Sequence, residues 1–195
     1  LSARPSNSSG AGATATLNSA GAISIDGLVN VSGRSGTFVI FSPDGSSSTT
    51  VGTVGFRGGE VNFIAASDIS IGSLNASGGN NFVTGGDGGD GGIITLTSGG
   101  KIQTSSIQAN GGRNGGSGGK GGTVNLVRNA ATGDFSVSTI SAVGGDGDDI
   151  GGDGGNITLT AVSGDLRAPI SYLNQGGEAT TGNADTIDLF SGNGG

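Results

Sequence analysis

The chain contains no cysteine, histidine, methionine or tryptophan, and only three of its 195 residues are proline. Without thiols or imidazoles it has no disulfide staple, no Cys or Ser-His-Asp nucleophile, and none of the usual zinc or haem ligands. The lack of cysteine suits a secreted chain, and no cofactor is expected. Positive charge is scarce too: eight Lys and Arg stand against fifteen Asp and Glu, a net charge of −7, with a pI near 4.2. That balance argues against nucleic acid or an anionic membrane surface as partner. No apolar run approaches the roughly 18 residues of a membrane span. The chain opens at Leu1 with neither an initiating Met nor a signal-peptide apolar stretch, so it reads as a mature or trimmed segment.

Glycine is what abounds, at 45 residues, against a usual share of about 7%. Gly at this level without a period signals disorder, so recurrence decides the reading. A small residue followed by apolar-polar-apolar alternation returns as Gly59-Glu60-Val61-Asn62-Phe63, Gly92-Ile93-Ile94-Thr95-Leu96 and Gly122-Thr123-Val124-Asn125-Leu126. It continues as Gly155-Asn156-Ile157-Thr158-Leu159 and Asp185-Thr186-Ile187-Asp188-Leu189, with weaker upstream copies at Gly36–Ile40 and Ala13–Leu17. Aligning Ala15, Phe38, Val61, Ile94, Val124, Ile157 and Ile187 gives steps of 23, 23, 33, 30, 33 and 30 residues. A 23-residue unit carrying Gly-rich inserts accounts for every step.

Within a unit the apolar landmarks keep fixed offsets. Val61 leads to Ile69 after eight residues and Leu74 after five more; Ile94, Ile102, Ile107 and Ala15, Ile23, Leu28 repeat this. The Val124 unit gains three residues at Ala130–Thr132 and then keeps the five-residue step from Phe135 to Ile140. In the Phe38 unit the extra residues fall in a loop at Asp44–Thr50, before Val51 and Phe56. The Ile157 unit fits less well, with Leu166 one place late and Pro169 interrupting it. Period-two alternation with frequent β-branched residues predicts strands and disfavours helix.

One unit cannot bury its apolar positions, but stacked units align them in columns: Val61, Ile94, Val124, Ile157, Ile187 and Phe63, Leu96, Leu126, Leu159, Leu189. That is the logic of a parallel β-solenoid, an all-β fold with three short strands per coil and six coils plus the start of a seventh. A β-sandwich explains the alternation but not the fixed offsets. The column between the two, Asn62, Thr95, Asn125, Thr158, Asp188, faces outward and can hydrogen-bond along the stack. Ala76, Ala109 and Ala142 suit a tight corner. The expected organisation is an N-terminal extension over 1–12, one solenoid domain over 13–190 and a Gly-rich end over 191–195.

The inserts read in triplets: GGD-GGD from Gly85, GGR-NGG-SGG-KGG over 111–122, and GGD-GDD-IGG-DGG over 144–155. A period of three fits a left-handed extended helix of polyglycine-II type at one corner; flexible loops are the alternative. Successive inserts carry Asp87 and Asp90, then Arg113 and Lys120, then Asp146, Asp148, Asp149 and Asp153. Stacked, acidic, basic and acidic inserts become neighbours and set register.

Asp146, Asp148, Asp149 and Asp153 are also the calcium candidates, because Gly144–Asp149 begins like the nonapeptide G-G-x-G-x-D-x-U-x. Gly151 stands where a large apolar residue should, and no nine-residue recurrence follows, so a solvated acidic loop is the competing reading. Thr95-Leu96-Thr97 and Thr158-Leu159-Thr160 resemble the paired threonines of ice-binding solenoids, but Asn62 with Ile64 and Asn125 with Val127 break the array. For a lyase or glycosidase, the outer face offers Asp188 and scattered Lys101, Arg128 and Arg167, with one Tyr, Tyr172; no acid pair recurs, so the chain is read as non-enzymatic. Asn7, Asn30, Asn75 and Asn156 open N-x-Ser/Thr glycosylation sequons, of which a Ser/Thr-rich chain supplies several by chance.

The segments Gly92–Gly112 (GIITLTSGGKIQTSSIQANGG) and Glu60–Gly79 (EVNFIAASDISIGSLNASGG) resemble the repeats of filamentous-haemagglutinin-type exoproteins, especially cyanobacterial ones with glycine-rich spacers. The resemblance spans roughly residues 13–190. It implies a secreted, right-handed parallel β-helix acting as an adhesin or surface fibre; that family's secretion domain, with its Asn-Pro motifs, has no counterpart here. The chain stops at Ser191-Gly-Asn-Gly-Gly with no cap in sight, and open strand edges template further strands. The expected function is an extracellular or cell-surface structural subunit that partners itself by end-to-end stacking. The alternative is an adhesin shaft that contacts glycans or a host surface.

Overall fold

The computed structural model describes residues 10–34, 37–41, 48–52, 55–130, 135–163, 171–173 and 187–191. Among them there is no helix. In chain order the strands are β1 (Thr14–Ser19), β2 (Ile23–Asn30), β3 (Thr37–Phe41), β4 (Ser48–Gly52), β5 (Glu60–Ala65), β6 (Ile69–Asn75), β7 (Asn81–Thr84) and β8 (Ile93–Ser98). There follow β9 (Ile102–Gln108), β10 (Asn114–Gly115), β11 (Thr123–Arg128), β12 (Phe135–Ser141), β13 (Asn156–Ala161), β14 (Ser171–Leu173) and β15 (Ile187–Ser191).

Two parallel sheets hold most of them. The first runs β1-β5-β8-β11-β13-β15 and the second β14-β12-β9-β6-β2. From β5 to β13 the chain crosses the first sheet, turns into the second, passes through a glycine-rich leg and returns, so each of these circuits adds one strand to each sheet. Pairing is in register: Val61, Ile94, Val124, Ile157 and Ile187 are successive Cα partners, as are Phe63, Leu96, Leu126, Leu159 and Leu189. In the second sheet Val29, Leu74, Ile107, Ile140 and Tyr172 align likewise. Insertion of three residues after Arg128 leaves this register intact, because turns absorb length that strands cannot.

Alternation decides which face is buried. In β11 the inward Val124, Leu126 and Arg128 are shielded while Thr123, Asn125 and Val127 stand half-exposed outside. The eight predicted core residues from Val61 to Leu159 are all fully buried, within a cluster joining both sheets and the corner alanines Ala76, Ala109 and Ala142. Ile187 and Leu189 continue the two columns by backbone register; their side chains lie outside the described residues, as do Leu166 and Pro169.

Two expectations are corrected. Phe38 is not a copy of the column position, because Ala15 pairs directly with Val61. β3 instead folds onto β4 as an antiparallel hairpin that places Phe38 opposite Val51. The chain leaves and re-enters at one point, since Phe56 N–H donates to Arg34 O at 3.2 Å; the β-prone run Thr-Phe-Val-Ile-Phe can pair with its own return strand as readily as with a stack. The first sheet therefore has six strands. Second, a circuit has two regular strands; its third side is glycine backbone, with only short pairing such as β7 with β10.

Candidate functional surfaces

The third side is ordered, and its order comes from backbone hydrogen bonds. Each circuit sends one leg out after the second sheet and brings one back before the first, as in Gly78–Asn80 and Gly88–Gly92. In several Gly-Gly-x triplets the first glycine N–H donates to the next circuit: Gly78 to Asn110 O, Gly88 to Ser117 O, Gly91 to Lys120 O, Gly121 to Asp153 O, all between 2.8 and 3.0 Å. The second glycines join the legs in one zigzag. Gly79 N–H donates to Phe56 O, Gly89 to Gly79 O, Gly112 to Gly89 O, Gly119 to Gly112 O, Gly145 to Gly119 O and Gly152 to Gly145 O, at 2.8 to 3.0 Å.

This spacing explains the residue type. A Cβ built on Gly89, Gly112, Gly119 or Gly145 falls under 3.0 Å from a backbone carbonyl of a neighbouring leg. Legs this close exclude every side chain, which is how three-residue helices pack around glycine.

In the triplets ending at Asp87, Asp90, Arg113, Ser117 and Lys120 the third residue departs from the glycine pattern. Where the preceding circuit offers a side-chain oxygen, that oxygen accepts its N–H: Asp90 Oδ1 from Lys120 N–H at 2.8 Å, Asn80 Oδ1 from Arg113 at 2.9 Å, Asp87 Oδ1 from Ser117 at 3.2 Å. At the first corner Asp68 Oδ1 does the same for Lys101 N–H at 2.9 Å. The expected contact of basic with acidic inserts is present as Arg113–Asp146 at 3.0 Å and Lys120–Asp153 at 3.4 Å. Both pairs are exposed, a setting in which ion pairs contribute about 0–1 kcal/mol.

Those pairs occupy two of the four calcium candidates. Asp148 and Asp149 are exposed at the outer tip of their insert, where Asp149 N–H donates to Gly116 O at 3.1 Å. Among the described residues no three Asp, Glu, His or Cys side chains are gathered as a metal site would need. The same tips hold two residues the sequence reading passed over, Asn81 and Asn114, both buried. Their carboxamide oxygens accept from Val83 N–H and Gly116 N–H, and Asn114 Nδ2 donates to Ser117 O. The repeated Gly-Gly-x-Asn was the available signal.

Outside the first sheet, Thr16, Asn62, Thr95, Asn125, Thr158 and Asp188 hold one register position, with Ile64 and Val127 among the threonines of the next column. Arg128, expected outside, is buried at 1%. It stands where other circuits place Ala65, Ser98 and Ala161, its Nη2 donates to Ser163 O at 3.4 Å and its guanidinium lies 5.9 Å from the Phe135 ring. Lys101 is exposed at a turn, and Arg167 lies outside the described residues.

The second sheet carries an open hollow of about 340 Å³ lined by Asp26, Ser70, Gln103, Ser105, Ser136 and Ser138, among others. No acid pair faces it. Of the sequons, Asn30 and Asn75 use their side-chain oxygens to accept Ser32 N–H and Ser77 N–H, Asn156 is exposed at the start of β13, and Asn7 lies outside the described residues.

The last surface is an edge. β1 and β2 are the outermost strands at one end of the two sheets. There Leu17 is 36% exposed, whereas Phe63, Leu96, Leu126 and Leu159 of the same column are at 0%. β1 has no charged residue and no proline, the devices that blunt natural edges. No family model, no curated protein and no solved structure matches this chain, and no described helix is long and apolar enough to cross a membrane.

Proposed function

We propose that this chain is a right-handed parallel β-solenoid and works as a non-enzymatic, extracellular structural segment of a surface fibre, extending by end-to-end stacking. The carrying observation is the exposed Leu17 on the uncharged β1 edge: among the described residues an interior column ends there on the outermost strand, and a further strand on that edge would cover it. Two in-register sheets joined by short turns support the solenoid. The repeat resemblance to filamentous-haemagglutinin-type exoproteins and the thiol-free composition support right-handedness and secretion. The test is negative-stain microscopy and fibre diffraction of concentrated protein. Filaments with an axial spacing of about 4.8 Å are expected; short monodisperse rods at every concentration would refute assembly.

A second reading, an adhesin shaft, is favoured by the hollow on the second sheet, whose lining of hydroxyls and one carboxamide, with a single carboxylate at Asp26, suits a neutral glycan better than a polyanion. Glycan-array binding that disappears in Gln103→Ala, with rods that never polymerise, would favour it over the fibre.

A further inference from the structure

We infer that two copies of this chain pair side by side and antiparallel through the returning glycine legs, with Arg57 of each copy opposite Asp153 of the other and Asp90 opposite Lys120. The surface lies along the flank of the stack, so this pairing does not depend on end-to-end growth. The residue that precedes Gly-Gly before β5, β8, β11 and β13 stands at one position in successive circuits. Backbone bonds fix this: Gly58 N–H donates to Asp90 O, Gly91 N–H to Lys120 O and Gly121 N–H to Asp153 O, each at 2.8 Å. Arg57, Asp90, Lys120 and Asp153 thus form a ladder that alternates plus, minus, plus, minus at the strand spacing of about 4.8 Å. Arg57 and Asp90 are exposed. Lys120 and Asp153 pair within the chain at 3.4 Å, yet their side chains stay 68% and 40% exposed, so all four are reachable from outside.

Alternation makes the ladder its own complement in one orientation. Turned end for end about a two-fold axis between Asp90 and Lys120, it meets opposite charge at all four positions, as a self-complementary isologous contact does. Parallel copies in register set every charge on its like. An antiparallel slip by one circuit sets Asp90 on Asp153 and Lys120 on Lys120. A parallel slip by one circuit matches three charges, but that contact is heterologous and does not close. The flanking columns agree with the two-fold arrangement. Toward the sheet, Glu60, Ile93, Thr123 and Asn156 share one register position, and the same turn sets Glu60 opposite Asn156 and Ile93 opposite Thr123. Toward the tip, Asp87 and Ser117 are neighbours, since Gly88 N–H donates to Ser117 O at 3.0 Å, and each faces the other across the axis. No acid named on these columns meets an acid.

Space and charge favour the same contact. A trough of about 360 Å³ runs beside Asp90 and Lys120 over the bare backbone of Gly91, Gly92, Gly121 and Gly122, with room for the second copy's Lys120 side chain against Asp90. A chain of net charge −7 repels its own copies, and the ladder, itself neutral, presents two basic side chains to two carboxylates. Sedimentation velocity of dispersed protein reads the pairing. Dimers are expected at about 0.01 M salt, where the screening length is about 30 Å, and should dissociate at about 1 M, where it is about 3 Å. Arg57→Glu sets like charge against Asp153 twice, by symmetry, and Asp153→Arg does the same against Arg57. Each variant, checked for a wild-type circular dichroism spectrum, should dimerise at least about tenfold more weakly. The double variant Arg57→Glu/Asp153→Arg exchanges the two charges and should recover wild-type affinity.

Wild-type protein that stays monomeric at low salt would overturn the inference. Single variants that dimerise as well as the wild type would overturn it too, because the contact would then lie elsewhere. A double variant as weak as the single ones would mean a parallel, slipped contact, in which residues 57 and 153 never meet, and would overturn the antiparallel register. Growth at the sheet edge is read separately, by microscopy of filaments, so either proposal can fail alone.

Discussion

Glycine at the inner positions of the third side is fixed by contact, and the side-chain-free surface lets two legs of each circuit share hydrogen bonds. Gly112 bridges Gly89 and Gly119 in the zigzag, and a Cβ there would collide with Gly79 O, a backbone atom with no room to retreat. Gly112→Ala is expected to destabilise by about 3 kcal/mol or more, at the upper end of overpacking costs, and to lower Tm by roughly 6–12 °C. Gly27, in the exposed bulge of β2, has nothing within 4 Å of a built Cβ; Gly27→Ala should be neutral or raise stability by about 0.4–1 kcal/mol through the unfolded chain. Equal effects in thermal melts of the two variants would show that glycine is not needed for contact. Among the outward residues, Asp90 matters as an acceptor rather than as a charge, since its Oδ1 takes Lys120 N–H at 2.8 Å. Asp90→Asn should therefore hold its stability, while Asp90→Ala loses about 0.5–1.5 kcal/mol by urea titration; equal losses would point to the charge instead.

Among the elements, the hairpin β3–β4 is the piece that stands outside the repeat. Its two ends meet where Phe56 N–H donates to Arg34 O, so closing the gap with a short linker costs little loop entropy. Replacing residues 35–54 by Gly-Ser-Gly should leave β1 paired with β5, preserve the remaining strand signal in circular dichroism and shift Tm by only a few degrees. Loss of the β1–β5 amide contacts in NMR spectra would show that the hairpin holds the first circuit in place. This element also marks where sequence reasoning stopped. The offsets of eight and five residues made β5, β6, β8, β9, β11 and β12 legible, because interior columns repeat only if strands align. The hairpin copied the alternation and happened to fall 23 residues from its neighbours, and period two carries no information about parallel or antiparallel partners. Triplets favoured ordered inserts over loose loops and made acidic and basic inserts neighbours, yet the particular pairs Arg113–Asp146 and Lys120–Asp153 and the pairing between outgoing and returning legs depend on distances no composition records. Arg128 was misplaced for a similar reason: its inward position follows from the alternation of β11, but charge argued the other way.

At the scale of the whole molecule, each circuit touches only its neighbours, so stability is a sum of local interfaces and the outermost strands have half the support of central ones. β1 is backed by β5 alone, with Leu17 exposed, whereas β8 and β11 are flanked on both sides and sit over fully buried columns. Hydrogen exchange read by mass spectrometry should follow that gradient in dispersed protein: slowest over β8, β11 and the zigzag at Gly89, Gly112 and Gly119, fastest within the sheets over residues 14–30. Stacking supplies the missing neighbour, so in assembled material exchange over 14–30 should slow at least tenfold while the central strands change little. The comparison separates two kinds of association, because lateral bundling would shield outward faces such as the column of Thr95 and Asn125 without adding any backbone partner to β1. Filaments in which residues 14–30 exchange as fast as in dispersed protein would therefore be held together by their sides, and the open edge at Leu17 would have no part in their growth.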